Sequence, residues 1–285
     1  MSITFGESLW CCAVRRIQRV LGVASLGTAI LAHGAPVTTV VVEESFVYTG
    51  GISLVGQSGG TGWTSAWVSD SPAFTDFFTN ATGLALPGVT ASGGRAVFRA
   101  AGTQINDAAR SLPLQNTGVV FIQFLSQFGT QFGGGTPTIR LSSSGVQTGG
   151  VGNNGGCVIA VYAILTSNLA AASCSAVSLG TLSAVVVRID FTANVTRMWV
   201  LPDLTGFDYL NPPAPSAEYI GSAPAFDRIA LYSRSPASID ELKVFRVVNA
   251  EPASAHPIPT LSPWAIGALT ALFLLAGLQF GRRGF

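Results

Sequence analysis

Histidine is nearly missing from this chain: His33 and His256 are the two in 285 residues, and both lie outside its central body. A body without histidine cannot assemble Ser-His-Asp or Cys-His nucleophilic machinery, and it lacks the usual nitrogen ligand of hydrolytic zinc. Charge is scarce too, at 10% Asp, Glu, Lys and Arg, against about a quarter in an ordinary soluble chain. Disorder needs high charge and few apolar residues, which a chain that is 48% hydrophobic does not offer. No P-loop, no GxGxxG after a strand and no HExxH occurs. The Gly clusters, such as GGTGW, sit between β-rich runs and read as turns. Between the two ends there is no helical period and no internal repeat. No basic stripe with interleaved aromatics appears, so no nucleic-acid partner is expected.

The ends of the chain carry clearer signals. Arg15, Arg16 and Arg19 precede the apolar run Val20–Ala32, which exits through small residues. That order is the pattern of a secretory signal peptide, expected over 1–34 as a helix, with Ala35 as the first mature residue. The run is shorter than the ~20 residues a membrane span needs. Cys11 and Cys12 lie ahead of it in no lipobox-like setting and are given no role. Without the signal and the last two arginines, 10 of the 15 basic residues and 13 of the 14 acidic ones remain, a net charge near −3.

Residues 35–248 read as an all-β body. Expected strands are Glu43–Tyr48, Arg95–Ala100, Gly118–Ser126, Thr138–Leu141, Cys157–Leu165, Ala184–Phe191, Arg197–Val200, Asp227–Tyr232 and Ile239–Val247. They are separated by Gly, Ser, Asn and Pro clusters, as in an antiparallel sandwich or barrel. In VVVRIDF, Val185, Val187 and Ile189 alternate with Val186, Arg188 and Asp190, giving one apolar and one mixed face. Ser142–Gly156 reads as a flexible loop and Pro202–Tyr219 as a second loop stiffened by Pro212, Pro213 and Pro215. A Pro-rich linker follows over 249–263, then the apolar run Trp264–Phe280 and the basic end at Arg282 and Arg283, so that 264–285 reads as a transmembrane anchor helix.

Few residues of the body suggest chemistry. Glycosidase action needs two carboxyl groups about 5–9.5 Å apart. The adjacent pairs Glu43/Glu44 and Asp240/Glu241 would point to opposite faces of a strand, so no catalytic residue is assigned and the chain is not expected to be an enzyme. No cofactor is expected; calcium is the metal to consider, with Asp203, Asp208, Asn153 and Asn154 in loops but at no diagnostic spacing. Cys157 and Cys174 are a candidate disulfide in an oxidising compartment, the alternative being two buried thiols. Trp63, Trp67 and Tyr209 are candidate sugar-binding aromatics, the alternative being core packing, and Tyr48 and Trp199 belong to the same aromatic set.

Two family resemblances cover different parts of the chain. The tail from Ile258-Pro259-Thr260-Leu261 through Trp264 to Arg282-Arg283 resembles the IPTL-type C-terminal sorting signals of Gram-negative bacteria, relatives of the PEP-type signals handled by exosortases. Pro263 and Ala265 stand where the usual motif has Glu and Gly. The resemblance implies an exosortase-like membrane enzyme as partner, passage through the inner membrane, and delivery to the cell surface or extracellular matrix. In the body, Glu43–Trp67 is similar to the opening of concanavalin A-like (laminin G-like) domains: an acidic-Ser-Phe-x-Tyr strand, then a Gly-rich segment ending in GxGW. Leu182–Leu204 resembles their paired strands and Ser238–Val247 their closing strand. The implied fold is a concanavalin A-like jelly-roll sandwich, and the resemblance supports the architecture more than any activity. The role expected of the exported body is adhesion at the envelope or matrix, with polysaccharide as a candidate partner. Alternatives are a polysaccharide-active hydrolase on the same fold or a purely structural matrix protein. The glucanases of this fold carry an ExDxxE strand, which is absent here.

Overall fold

Fourteen strands run through the described residues and pair into two antiparallel sheets. The computed structural model describes residues 34–69, 77–98, 106–128, 138–152, 157, 161–178, 181–233 and 236–250. The signal segment, the linker, the IPTL motif, Trp264 and the terminal arginines lie outside them, as do Asn153 and Asn154.

The eight-stranded sheet contains β1 (Gly34–Glu44), β2 (Phe78–Asn80), β3 (Arg95–Val97), β5 (Val119–Phe128), β10 (Ser183–Asp190), β11 (Val195–Leu201), β12 (Ala217–Ile220) and β14 (Ala237–Ala250). The six-stranded sheet contains β4 (Asn106–Gln115), β6 (Thr138–Ser143), β7 (Val146–Gly152), β8 (Val161–Leu165), β9 (Ala171–Ser178) and β13 (Phe226–Ser233). Their orders are β12-β11-β10-β5-β14-β3-β2, with β1 also on β14, and β4-β13-β6-β7-β8-β9. Neighbours in space are thus often distant in sequence, as in a sandwich whose chain crosses between layers.

One core fills the space between the sheets. Ile122, Phe124, Val185, Val187, Met198 and Val244 from one layer meet Ile139, Leu141, Ile164, Ile229 and Leu231 from the other. A second core lies on the far side of the eight-stranded sheet. There Phe121, Leu125, Val186, Trp199 and Phe245 are covered by Leu84, Leu86 and Leu204, with Phe207 and Tyr209 packed at the margin. Strand β10 is therefore buried on both faces over its first residues, and the mixed face expected from Val186 and Arg188 is instead apolar until Arg188. The Pro-rich loop achieves this cover: the Trp199 indole N–H donates to the Pro213 carbonyl at 2.9 Å.

Of the segment 142–156, expected as a flexible loop, the described residues 142–152 form most of a hairpin. Strands β6 and β7 pair from Thr138↔Gly152 to Ser143↔Val146, leaving only Ser144 and Gly145 to turn. Both have positive φ, 51° and 79°, as the twist-matched two-residue turn requires, and glycine meets that demand without a Cβ penalty.

Candidate functional site

The acidic-Ser-Phe-x-Tyr and GxGW segments form one buried polar knot. Glu44, at the end of β1, is fully buried, and Arg110 on β4 reaches it with Nη1–Oε2 at 2.6 Å. The same Nη1 donates to the Gly59 carbonyl at 2.7 Å, and Nε donates to the Ser65 carbonyl at 2.7 Å. Glu44 also accepts from the Tyr48 hydroxyl at 2.8 Å, the Trp67 indole N–H at 3.2 Å and the Phe46 amide at 2.9 Å. Burial, reinforced by the Glu44 charge, pushes the Tyr48 phenol up to about 12, so it stays a donor. The Gly-rich turn closes over the knot because Gly62, at φ 77°, lies where a Cβ would collide with the Val41 carbonyl oxygen.

Trp63 and Trp67 belong to this knot. Trp67 is fully buried, with its ring 6.1 Å from Phe46 and 5.8 Å from Trp63. It has no surface to offer a sugar, so of the two readings of Trp67 the core-packing one holds and the sugar-binding one is corrected. Trp63 is half-buried, donates to the Glu43 carbonyl at 3.1 Å and is capped by the Arg110 guanidinium 5.0 Å from its ring centre. Tyr209 sits elsewhere, over the far face of the eight-stranded sheet, edge-on to Phe121 and Phe245 with its hydroxyl on Gln123. The three aromatics do not come together.

The Asp240/Glu241 pair departs from simple strand geometry. The register of β14 on β5 shifts between Asp240 and Lys243, and Glu241 has φ 48°. This bulge lets both carboxylates serve one loop. Asp240 accepts from the Leu84 and Glu241 amides, both at 2.7 Å, while Glu241 accepts from the Ser92 amide at 2.7 Å and the Ser45 hydroxyl at 3.0 Å. Both side chains are fully buried. Burial raises the Asp240 carboxyl to about 7 against the lowering effect of its amide donors, with the Glu241 charge adding to the rise. These are loop anchors, closed to a substrate.

An open site exists on the outer face of the six-stranded sheet. A groove of about 780 Å³ is lined by Ser111, Arg140, Ser142, Gln147, Asp227 and Arg228, with Thr64 and Ser144 at its margins and Ala230 beneath. In register, Arg228 lies opposite both Ser111 and Ser142, and Ala230 lies opposite Arg140. Register shifts between Phe226 and Arg228 and between Leu141 and Ser142 bring consecutive residues such as Asp227 and Arg228 to one groove. The Arg140 guanidinium lies over the Tyr232 ring at 3.3 Å from its centre. Sequence reasoning missed these residues because they are scattered over 84 positions from Thr64 to Gln147 and again near Arg228. Only strand alternation around Ile229 and Leu231 hinted that Arg228 faces outward.

The remaining candidates are placed separately. Cys157 and Cys174 form a disulfide. Asp203 and Asp208 hold loop turns, accepting from the Thr205 amide at 2.6 Å and the Leu210 amide at 2.9 Å. Hydrogen bonds from Thr205 and from Asn211 hold the two carboxyls below the usual range. Among the described residues no three His, Cys, Asp or Glu side chains gather as a metal site, and no helix is long and apolar enough to cross a membrane.

No family model and no curated protein sequence matches the chain. Solved structures with a similar arrangement include a sialidase, at 10% identity and TM-score 0.41 over 62% of this chain. The chain spans only 16% of that sialidase's length. A glycosyl hydrolase family protein from Mycobacterium fortuitum aligns at 13% identity and TM-score 0.41, covering 72% of this chain and 99% of its own. Winged bean acidic lectin, solved with methyl-α-D-galactose, aligns at 8% identity and TM-score 0.41, covering 76% of this chain and all of its own.

Proposed function

We propose that the chain is an exported, non-hydrolytic carbohydrate-binding protein whose concanavalin A-like jelly-roll body uses the groove on the six-stranded sheet. The groove carries the reading: it is open, about 780 Å³ in volume, and walled by hydroxyl, amide and guanidinium groups, the donors and acceptors that sugar hydroxyls pair with. A glycosidase needs two carboxyl groups across the scissile bond. Among the described residues that line the groove Asp227 is the one acid, and both members of the Asp240/Glu241 pair are buried under a loop, which supports binding over hydrolysis. The test is a glycan array probed with the full chain in detergent, with and without a calcium chelator. Binding to at least one glycan class is expected. It should survive chelation, because the described lining residues include one carboxylate, too few for a calcium cage. Arrays blank in both conditions would move the assignment to a structural matrix protein.

The sorting tail completes the reading. Ile258–Leu261, Trp264 and Arg282-Arg283 frame an apolar run of transmembrane length, with Trp at the outer interface and arginines held inside. An exosortase-like enzyme would cut near the IPTL motif and release the body to the cell surface or matrix. Intact-mass measurement of surface-extracted protein is expected to find nothing beyond Leu261; Phe285 retained in all of that material would sink the cleavage step.

A further inference from the structure

We propose that the groove holds the interior of an uncharged polysaccharide chain laid across the strands, with Gln147 as the residue that decides how tightly. The inference rests on reading the groove as a glycan site and adds the class of glycan and the way it lies. Ser111, Arg228, Ser142 and Gln147 are successive cross-strand partners on β4, β13, β6 and β7, and all four line the groove. Directly opposite residues share a face, and neighbouring strands lie about 4.8 Å apart, so this row spans roughly 14 Å. One sugar ring cannot reach along it, whereas several rings in sequence can. Ala230 beneath the row is short, which leaves room for a chain to lie across it.

The hydrogen bonds made and not made along the row point to the class of ligand. Ser111 uses its backbone: its amide donates to the Ser65 hydroxyl at 3.0 Å and its carbonyl accepts from the Thr64 amide at 3.0 Å, which leaves its own hydroxyl to the groove. The Ser142 hydroxyl enters no hydrogen bond among the described residues. Gln147 Nε2 is a buried donor without a partner. Rotation about the last side-chain torsion of a glutamine is soft, so the amide can turn its donor to the groove and break no bond in doing so. A ligand oxygen that meets it gains a hydrogen bond at no loss to the protein. Arg140, by contrast, lies over the Tyr232 ring, and Arg228 is likewise engaged within the protein. Asp227 accepts from the Ser144 amide at 3.2–3.3 Å, at the hairpin rim, and a carboxylate has lone pairs for further donors. Hydroxyls and an amide both donate and accept, as sugar hydroxyls do, and an acceptor-only carboxylate suits a hydroxyl donor but repels a sugar carboxylate or sulfate.

Affinity electrophoresis of the full chain in detergent tests this with dextran, mannan, xylan and galactan, each also in carboxymethylated form. At least one neutral polymer is expected to retard the protein, and at least tenfold more strongly than its carboxymethylated form. Raising salt to about 0.5 M, which screens charges but not neutral hydrogen bonds, should change that retardation less than twofold. The hexasaccharide of the retained polymer should release the protein at least tenfold better than its monosaccharide at equal ring concentration. Gln147→Met should weaken retardation at least tenfold and Ser142→Ala at least threefold, while Arg246→Met, on the other sheet, changes it less than twofold. Because Gln147→Met removes an unpaired buried donor, its thermal melt should be no lower than the parent's. A lower melt means that the amide serves the sheet, and the assignment of Gln147 to the ligand falls; the row is then decided by Ser142→Ala and Ser111→Ala. Retardation untouched by these variants, equal release by monosaccharide and hexasaccharide, or stronger retardation by the carboxymethylated forms each overturns the inference and leaves a glycan site standing. If no polymer, neutral or charged, retards the protein, both the inference and the reading beneath it fall.

Discussion

Arg110 carries its charge where its side chain is only 3% exposed, and Glu44 answers it from a side chain that is 0% exposed. Removing one partner of such a pair costs about 3–5 kcal/mol, because the other charge is left buried. Arg110→Met should lose that much in urea unfolding. The double variant Glu44→Gln with Arg110→Met should lose less than the two single changes summed, since the pair acts as a unit. A single variant within about 1 kcal/mol of the parent would show that the knot does not support the fold. The acidic pairs were visible in the sequence, but their roles were not. Alternation of faces describes β1, where Glu43 turns out to Lys243 at 2.6 Å and Glu44 turns in. It fails in β14, because a bulge with Glu241 at φ 48° is a tertiary feature with no local sequence mark. The aromatic Trp67 was likewise legible as a large ring but not as an indole donor to Glu44.

At the scale of strands, sequence reasoning located the central ones because both their faces are rich in Val, Ile and Phe, as in β5, β10 and β14. It missed β2, β4, β7, β9 and β12 and all but the last two residues of β1, and several of these are rich in residues it takes for turns and loops. β4 reads NDAARSLPLQ, with a proline; β7 reads VQTGGVG; β9 reads AASCSAVS. Pairing on both sides, to β6 and β8, holds the Gly-rich β7 in extended form where local propensity is weak. The groove draws on both kinds: Ser111 and Gln147 come from β4 and β7, which were missed, whereas Arg140 and Arg228 come from β6 and β13, which were located. The Cys157–Cys174 bridge ties the segment before β8 to β9, an outer strand of the same sheet. Closing a loop of sequence separation 17 is worth about 3 kcal/mol through the unfolded chain. The Cys157→Ser, Cys174→Ser double variant should therefore unfold at lower urea by that margin, whereas an unchanged midpoint would mean that the bridge adds nothing to the body.

For the molecule as a whole, the lack of histidine shapes the pH dependence of stability. His33 and His256 lie outside the described residues, so no imidazole in the sandwich titrates between pH 5 and 8. Asp240 takes that place. Its folded value of about 7 stands above the ordinary 3.8 because burial disfavours the anion. Between those two values the folded protein binds more protons than the unfolded chain, so stability falls as pH rises through this window and levels off above it. Asp203 and Asp208 work in the opposite sense: their carboxyls are held low by hydrogen bonds from Thr205 and Asn211, so their contribution is present above the unfolded value and is lost as pH drops below it. The two trends together make these three groups' combined contribution greatest on the acid side of neutrality. Urea midpoints should be higher at pH 5 than at pH 8. Asp240→Asn should flatten the difference while lowering both midpoints, since an amide accepts at only one of the two positions where Leu84 and Glu241 donate. A parent protein more stable at pH 8 than at pH 5 would mean that Asp240 folds as an ordinary carboxylate, and that its two amide donors outweigh its burial.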